Sequence, residues 1–140
     1  GSMSHFVDAA VTGTINQIVD EVNALAFNFG NERAFHDGIA AMLDGLKLEY
    51  TREVAIDKQN RFDFVVSFDQ LRSSGIVIEA KIKGPFGAAL QQCSRYCALD
   101  GVAAVILLAT PAWIRQVNVP DLVHSSGKPM RIVHARRAAF

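Results

Sequence analysis

The apolar positions of the chain change period several times, and each change marks an element. Val11, Ile15, Ile18, Val22 and Leu25 recur at spacings of four, three, four and three, the stripe of an amphipathic helix from about Thr12 to Phe29. Phe29-Gly30-Asn31 ends it, because Gly and Asn favour the left-handed residue that closes a helix. A second helix is expected from about Asn31, which caps it. Glu32 falls in its first turn, and Phe35, Ile39, Met42 and Leu46 form its apolar face. The period then drops to two. Leu46, Leu48 and Tyr50 alternate with Lys47 and Glu49, and Val54 and Ile56 continue after a break, which predicts a bulged strand. Phe62, Phe64, Val66 and Phe68 predict a second strand, with Asp63, Val65 and Ser67 on its other face. Ile76, Ile78, Ala80 and Ile82 predict a third, alternating with Val77, Glu79, Lys81 and Lys83. Turns at Lys58-Gln59-Asn60 and from Gln70 to Gly75 make the three an antiparallel meander.

Gly84-Pro85 breaks the third strand, and Phe86, Leu90, Cys93 and Cys97 mark a helix running to about Asp100. Val102 to Ala109 is apolar on both faces, as a strand buried on both sides must be. Strand, helix and buried strand in succession predict a parallel crossover. Beyond Pro111 the pattern weakens to a turn at Ser125 to Pro129 and a last strand from Met130 to Ala135. The expected fold class is α/β, one mixed sheet with helices packed on it.

Composition narrows the classes. The 140 residues suit one domain, 4–140, after Gly1-Ser2-Met3, which reads as an expression-tag scar. Fourteen basic and fourteen acidic residues give zero net charge, which excludes a charge-dominated nucleic-acid binder but allows a local basic patch. The longest apolar run, Val102 to Ala109, is too short to span a bilayer, and no basic stretch before an apolar one reads as a secretory leader. A cytoplasmic location is expected. Cys93 and Cys97, four apart on one helix face, read as small buried side chains rather than a disulfide framework or a zinc site.

The chemistry gathers on two strands. Glu79 and Lys81 are two apart and share a face. The meander can bring Asp63 of the preceding strand beside Glu79. Two close carboxylates repel, and a cation between them relieves the repulsion. Such oxygens suit Mg²⁺, which takes one or two protein carboxylates and keeps several waters. A lysine beside them can orient a water or balance charge developing on a phosphate. These are the parts of metal-assisted phosphodiester hydrolysis. The competing reading is a solvated charge pair of little energetic weight.

Asp63 followed by Glu79-Ala80-Lys81 resembles the PD-(D/E)XK superfamily of restriction-endonuclease-like nucleases. Its members share a core of helix, three strands, helix and strand, and Asn31 to Ala109 reproduces that order. Phe62, not the Pro of many members, precedes Asp63. Gln92 and Tyr96 match the Gln-x-x-x-Tyr pattern of recombination-type nuclease domains. The resemblance implies a metal-dependent DNA nuclease acting in repair, recombination or a mobile-element or phage context. Asp63 and Glu79 would bind Mg²⁺ or Mn²⁺ with the carbonyl of Ala80 and an additional Glu32, and Lys81 would position the attacking water. His36 lies one turn beyond Glu32. Gln92 and Tyr96 would support the site or touch DNA. Lys81, Lys83 and Arg95 near the site, with Lys58 and Arg61 in the turn before the second strand, are placed to receive phosphates. The helix before Asn31 lies outside the core, to pack on the sheet or form a dimer contact. A neutral chain without a base-reading motif has modest DNA affinity alone, so a homodimer or a larger assembly is expected. The alternative from another class is a non-catalytic DNA-binding or protein-interaction module that keeps the fold.

Overall fold

The structure is a computed structural model, and it describes residues 2–67, 75–109, 121–123 and 125–138. In chain order the elements are α1 (Ser2–Ala24), β1 (Ala26–Phe27), α2 (Glu32–Gly45), β2 (Glu49–Ala55), β3 (Arg61–Ser67), β4 (Gly75–Ala80), α3 (Phe86–Cys97), β5 (Val102–Ala109), β6 (Asp121–Val123), β7 (Pro129–His134) and β8 (Arg136–Arg137). Six strands form one sheet in the order β2-β3-β4-β5-β7-β6. The meander β2-β3-β4 is antiparallel, β4-β5 and β5-β7 are parallel, and β6-β7 is antiparallel. The fold is therefore α/β with a mixed sheet, as the periodicity predicts. Among the described residues no helix is long and apolar enough to cross a membrane.

Each face of the sheet carries its own core. Ile15, Ile18 and Val22 of α1 and Phe35, Ile39 and Leu43 of α2 pack with Phe64, Ile76, Ile78, Ile106 and Leu108. On the other face Ala89, Cys93, Tyr96 and Cys97 of α3 pack with Phe62, Val77, Val105, Leu107 and Ile132. The continuous apolar run of β5 is what a strand covered on both sides requires. Helix α1 thus packs on the sheet, the first of its two expected uses. Gly75 opens β4 because a Cβ there would stand 2.5 Å from Val65 Cγ1, closer than side chains tolerate.

The ends differ from expectation. Helix α1 starts at Ser2 and stops at Ala24, short of Phe29. Ala26–Phe27 instead pairs in parallel with Arg136–Arg137. Phe27 and Phe29 set their rings against Phe35 at 5.7 and 4.7 Å. The C-terminal segment ties this connector down. Arg136 Nη2 donates to the Ala24 carbonyl at 3.2 Å, and the Ala138 amide donates to Phe27 at 2.8 Å. The Arg137 guanidinium lies 5.7 Å over the Phe29 ring. Strand β2 starts at Glu49 rather than Leu46, because Lys47 turns the chain at φ 59°. The turn after Gln70 and residues 110–120, 124 and 139–140 lie outside the described residues, while the expected last strand is β7.

One correction concerns the site directly. Phe62 and Phe64 were expected on one face. They lie in opposite cores, Phe64 under α2 and Phe62 under α3. Strand β2 turns over at the same level: Tyr50 packs toward α2 and Val54 toward α3. Between these pairs the ladder runs from Arg52↔Phe64 to Val54↔Phe62 and omits Glu53 and Asp63. Glu53 sits there at φ 53°, a left-handed conformation that side chains rarely adopt. The expected break in this strand is that turn-over.

Candidate active site

The turn-over puts Asp63 where it can meet β4. The β3–β4 ladder runs from Ser67↔Gly75 to Phe64↔Ile78 and stops. Beyond it two carboxylates take over. The Asp63 amide donates to Glu79 Oε1 at 3.1 Å, and the Ala80 amide donates to Asp63 Oδ2 at 2.9 Å. Each carboxylate thus satisfies an amide that the interrupted ladder leaves unpaired.

Glu79 is 1% exposed and is the one buried charged side chain among the described residues. That excludes the solvated charge pair. Burial, and then the charge of Asp63, push its pKa up to about 8. Burial also raises Asp63, against the opposing pull of the Ala80 amide and His36. Lys81 favours ionisation of both carboxylates, and among the described residues no ion pair reaches Glu79. A carboxylate pair with one member buried, the other half-buried and so little compensation is suited to a divalent cation. Among the described residues no group of three or more His, Cys, Asp or Glu side chains is gathered to hold a metal ion by itself. Two carboxylates completed by water are the ordinary protein share of a Mg²⁺ site. The donor set therefore fits.

His36 bridges the third expected ligand. Its Nε2 donates to the Ala80 carbonyl at 2.8 Å, since a carbonyl only accepts. The same nitrogen stands 3.6 Å from Asp63 Oδ2 and 3.9 Å from Glu32 Oε1. The Ala80 oxygen expected to face a metal is thus engaged by an imidazole N–H. Three oxygens expected around a cation surround that one nitrogen instead. Asn31 sets this arrangement from the sequence side. Its Oδ1 accepts from the Ala34 amide at 2.7 Å, which starts α2 at Glu32 and places His36 one turn on.

Gln92 and Tyr96 divide the expected role. Gln92 Nε2 donates to Tyr96 Oη at 2.9 Å, and Tyr96 Oη donates to the Arg61 carbonyl at 3.2 Å. The Tyr96 ring packs edge-on against Phe62 at 4.6 Å. Tyr96 is 1% exposed, and burial followed by the charge of Glu79 lifts its phenol to about 12. It supports the start of β3 and is not among the cleft walls. Gln92 does reach the cleft.

The cleft beside the pair has a volume of about 880 Å³; Asp63 lines it, and the expected Glu79 is buried and not among its walls. It gathers the expected Glu32, His36, Asp63, Lys81, Gln92 and Arg61. Arg33, Asp37, Arg52, Glu53 and Gln59 also line it, and none of these was foreseen as a site residue. Only the break near Glu53 left a trace in the periodicity. Lys58, Lys83 and Arg95 are exposed but are not among the cleft walls. Cys93 and Cys97 are buried free thiols, and burial raises both, so they stay protonated and structural as expected. In comparison with known proteins, no family, curated protein or solved structure matches the chain.

Proposed function

We propose that the chain is a divalent-metal-dependent nuclease of the PD-(D/E)XK type that hydrolyses phosphodiester bonds in DNA. The observation that carries this reading is the cross-braced Asp63–Glu79 pair, with Glu79 buried and Asp63 on the cleft wall together with Lys81. The order α2-β2-β3-β4-α3-β5 supports it, being the order of that superfamily's core. A cellular role in repair, recombination or a mobile element or phage follows from the resemblance alone.

Asp63 and Glu79 would hold Mg²⁺ or Mn²⁺, faced by Glu32 from α2. When bound, the ion polarises the phosphate and makes its water acidic. The rest is the work of the chain. The Lys81 ammonium orients the attacking water and balances charge as it gathers on the phosphate. His36 holds the Ala80 peptide, and through the Ala80 amide it steadies Asp63 Oδ2. Tyr96 holds Arg61 and Phe62, and so fixes the backbone that delivers Asp63.

The test is cleavage of supercoiled, single-stranded and four-way-junction DNA in Mg²⁺ or Mn²⁺ against EDTA, with Lys81→Ala in parallel. Metal-dependent cleavage that the substitution abolishes is expected. No cleavage of any DNA favours the non-catalytic module, and divalent-metal binding speaks against it, since such a module has no need of a metal.

A further inference from the structure

The charges on the walls of the cleft cancel. Four cationic and four carboxylate side chains line it, and the two signs are interspersed. Glu32 and Asp37 share α2 with Arg33, and Glu53 shares the β2–β3 hairpin with Arg52 and Arg61. Asp63 and Lys81 complete the count. Arg52 is already committed: its Nη2 donates to Asp37 Oδ1 at 3.0 Å, and its guanidinium lies 5.5 Å over the Phe64 ring. Glu79, braced against Asp63, adds one more carboxyl behind the wall. The chain as a whole is neutral too. DNA is held by net positive charge, because each phosphate that is neutralised releases counterions. This cleft supplies no net charge of its own.

Glu53 is the least explained of these groups. Its backbone sits at φ 53°, where glycine is favoured and a side chain is strained. Among the described residues its exposed carboxylate has no hydrogen-bond or ion-pair partner. Strain of this kind persists where a site has a use for it. Here it keeps an unpaired negative charge on the hairpin wall, beside the two arginines that would otherwise meet a phosphate.

A divalent cation at Asp63 and Glu79 changes the sum. It adds two positive charges to walls that otherwise balance, and the cleft becomes attractive to a polyanion. We infer that the cleft is an electrostatic gate, which holds DNA only together with a divalent cation, and that Glu53 is the wall residue that keeps DNA out otherwise. This inference rests on the hydrolytic reading of the carboxylate pair. Coupling of this kind is reciprocal: DNA raises the affinity for the cation by the factor that the cation raises the affinity for DNA.

The experiment is fluorescence anisotropy with a short labelled duplex and its matching single strand, in EDTA and in Ca²⁺ at one ionic strength. Ca²⁺ replaces Mg²⁺ to spare the probe. A protein that relies on bare lysines and arginines binds DNA more weakly when Ca²⁺ competes for the phosphates, so tightening is diagnostic. Ca²⁺ tightens binding of at least one of the two DNAs by about 10- to 100-fold, and calorimetry finds the Ca²⁺ affinity raised by the same factor in the presence of that DNA. Asp63→Asn removes the effect of Ca²⁺. Glu53→Gln tightens binding in EDTA by about 3-fold or more, the repulsion of one charge. Glu49→Gln, on the same strand but not among the cleft walls, changes neither affinity. Unaltered melting curves show that the variants fold. Equal or weaker binding in Ca²⁺, a Glu53→Gln variant that binds as the wild type does in EDTA, or no binding in either condition overturns the inference. Metal-dependent cleavage alongside equal binding in EDTA and Ca²⁺ removes the gate and keeps the nuclease. The expected Ca²⁺ effect without cleavage of any DNA in Mg²⁺ or Mn²⁺ keeps the gate and removes the nuclease.

Discussion

Strands β3 and β4 are joined in two different ways along their length. From Ser67↔Gly75 to Phe64↔Ile78 their backbones pair with each other, and their side chains are left to pack in the two cores. From Asp63 and Glu79 onward the backbones part, and side-chain oxygens hold the amides. The first half is ordinary sheet, stabilised by burial of apolar surface. The second half gives up that regularity at the point where the cleft begins. The contrast teaches that the two carboxylates are scaffold and chemistry together. Substituting either has two consequences, and choosing the replacement separates them.

The sharpest separation starts in the regular half. Ile78→Ala empties core volume and costs about 2–5 kcal/mol in urea unfolding, with metal affinity unchanged. In the irregular half, Asp63→Asn and Glu79→Gln keep hydrogen-bond acceptors but remove charge. Metal affinity by calorimetry and cleavage rate fall at least about 100-fold while the fold persists. A fall in stability without loss of metal affinity would reduce the pair to scaffold alone.

The next effect is on stability against pH. Glu79 is raised from its ordinary 4.5 to about 8 in the fold. The folded state therefore holds a proton that the unfolded chain releases earlier. The stabilisation is full below pH 4.5 and is lost as pH rises toward 8. In EDTA, the melting temperature of the wild type relative to Glu79→Gln declines between about pH 5 and 8.5. Mg²⁺ reverses the decline, since it binds the ionised pair. A difference that grows with pH in EDTA contradicts this account.

Glu53 offers a subtler probe. Glu53→Gly accepts φ 53° and preserves metal affinity, whereas Glu53→Val costs about 1–2 kcal/mol and weakens metal binding by displacing Asp63. Equal behaviour of the two variants would detach the turn-over from the site. The smallest effect belongs to Arg52→Ala, whose pair with Asp37 is half exposed and worth under about 1 kcal/mol by thermal melting.

Much of this was legible in the chain. The switches of period from Asn31 to Ala109 are abrupt, so α2, the meander, α3 and β5 lie close to where the pattern puts them. The meander brings Asp63 near Glu79, and the turn-over at Glu53 completes their meeting. The face of Phe62 did not follow, because strict alternation assumes an unbroken ladder. Glu53 and Asp63 break it opposite each other, and a period of two cannot carry across. The contact of His36 with Ala80 spans 44 positions, and the Arg33 and Arg61 walls come from separate elements. Local pattern contains no term for such distances. The strand order β5-β7-β6 at the far edge was equally silent, since β6 is only three residues long.

The ribbon of β1 and β8 carries a consequence for how the molecule is made. Arg136, Arg137 and Ala138 hold the connector from Ala24 to Phe29, and that connector leads directly into the first turn of α2. A ribosome delivers α1 and α2 well before these three residues. Until they emerge, the wall bearing Glu32 and Arg33 lacks that tie. The cleft wall is tied down only once they are made, and a chain truncated before Arg136 loses the latch on that wall.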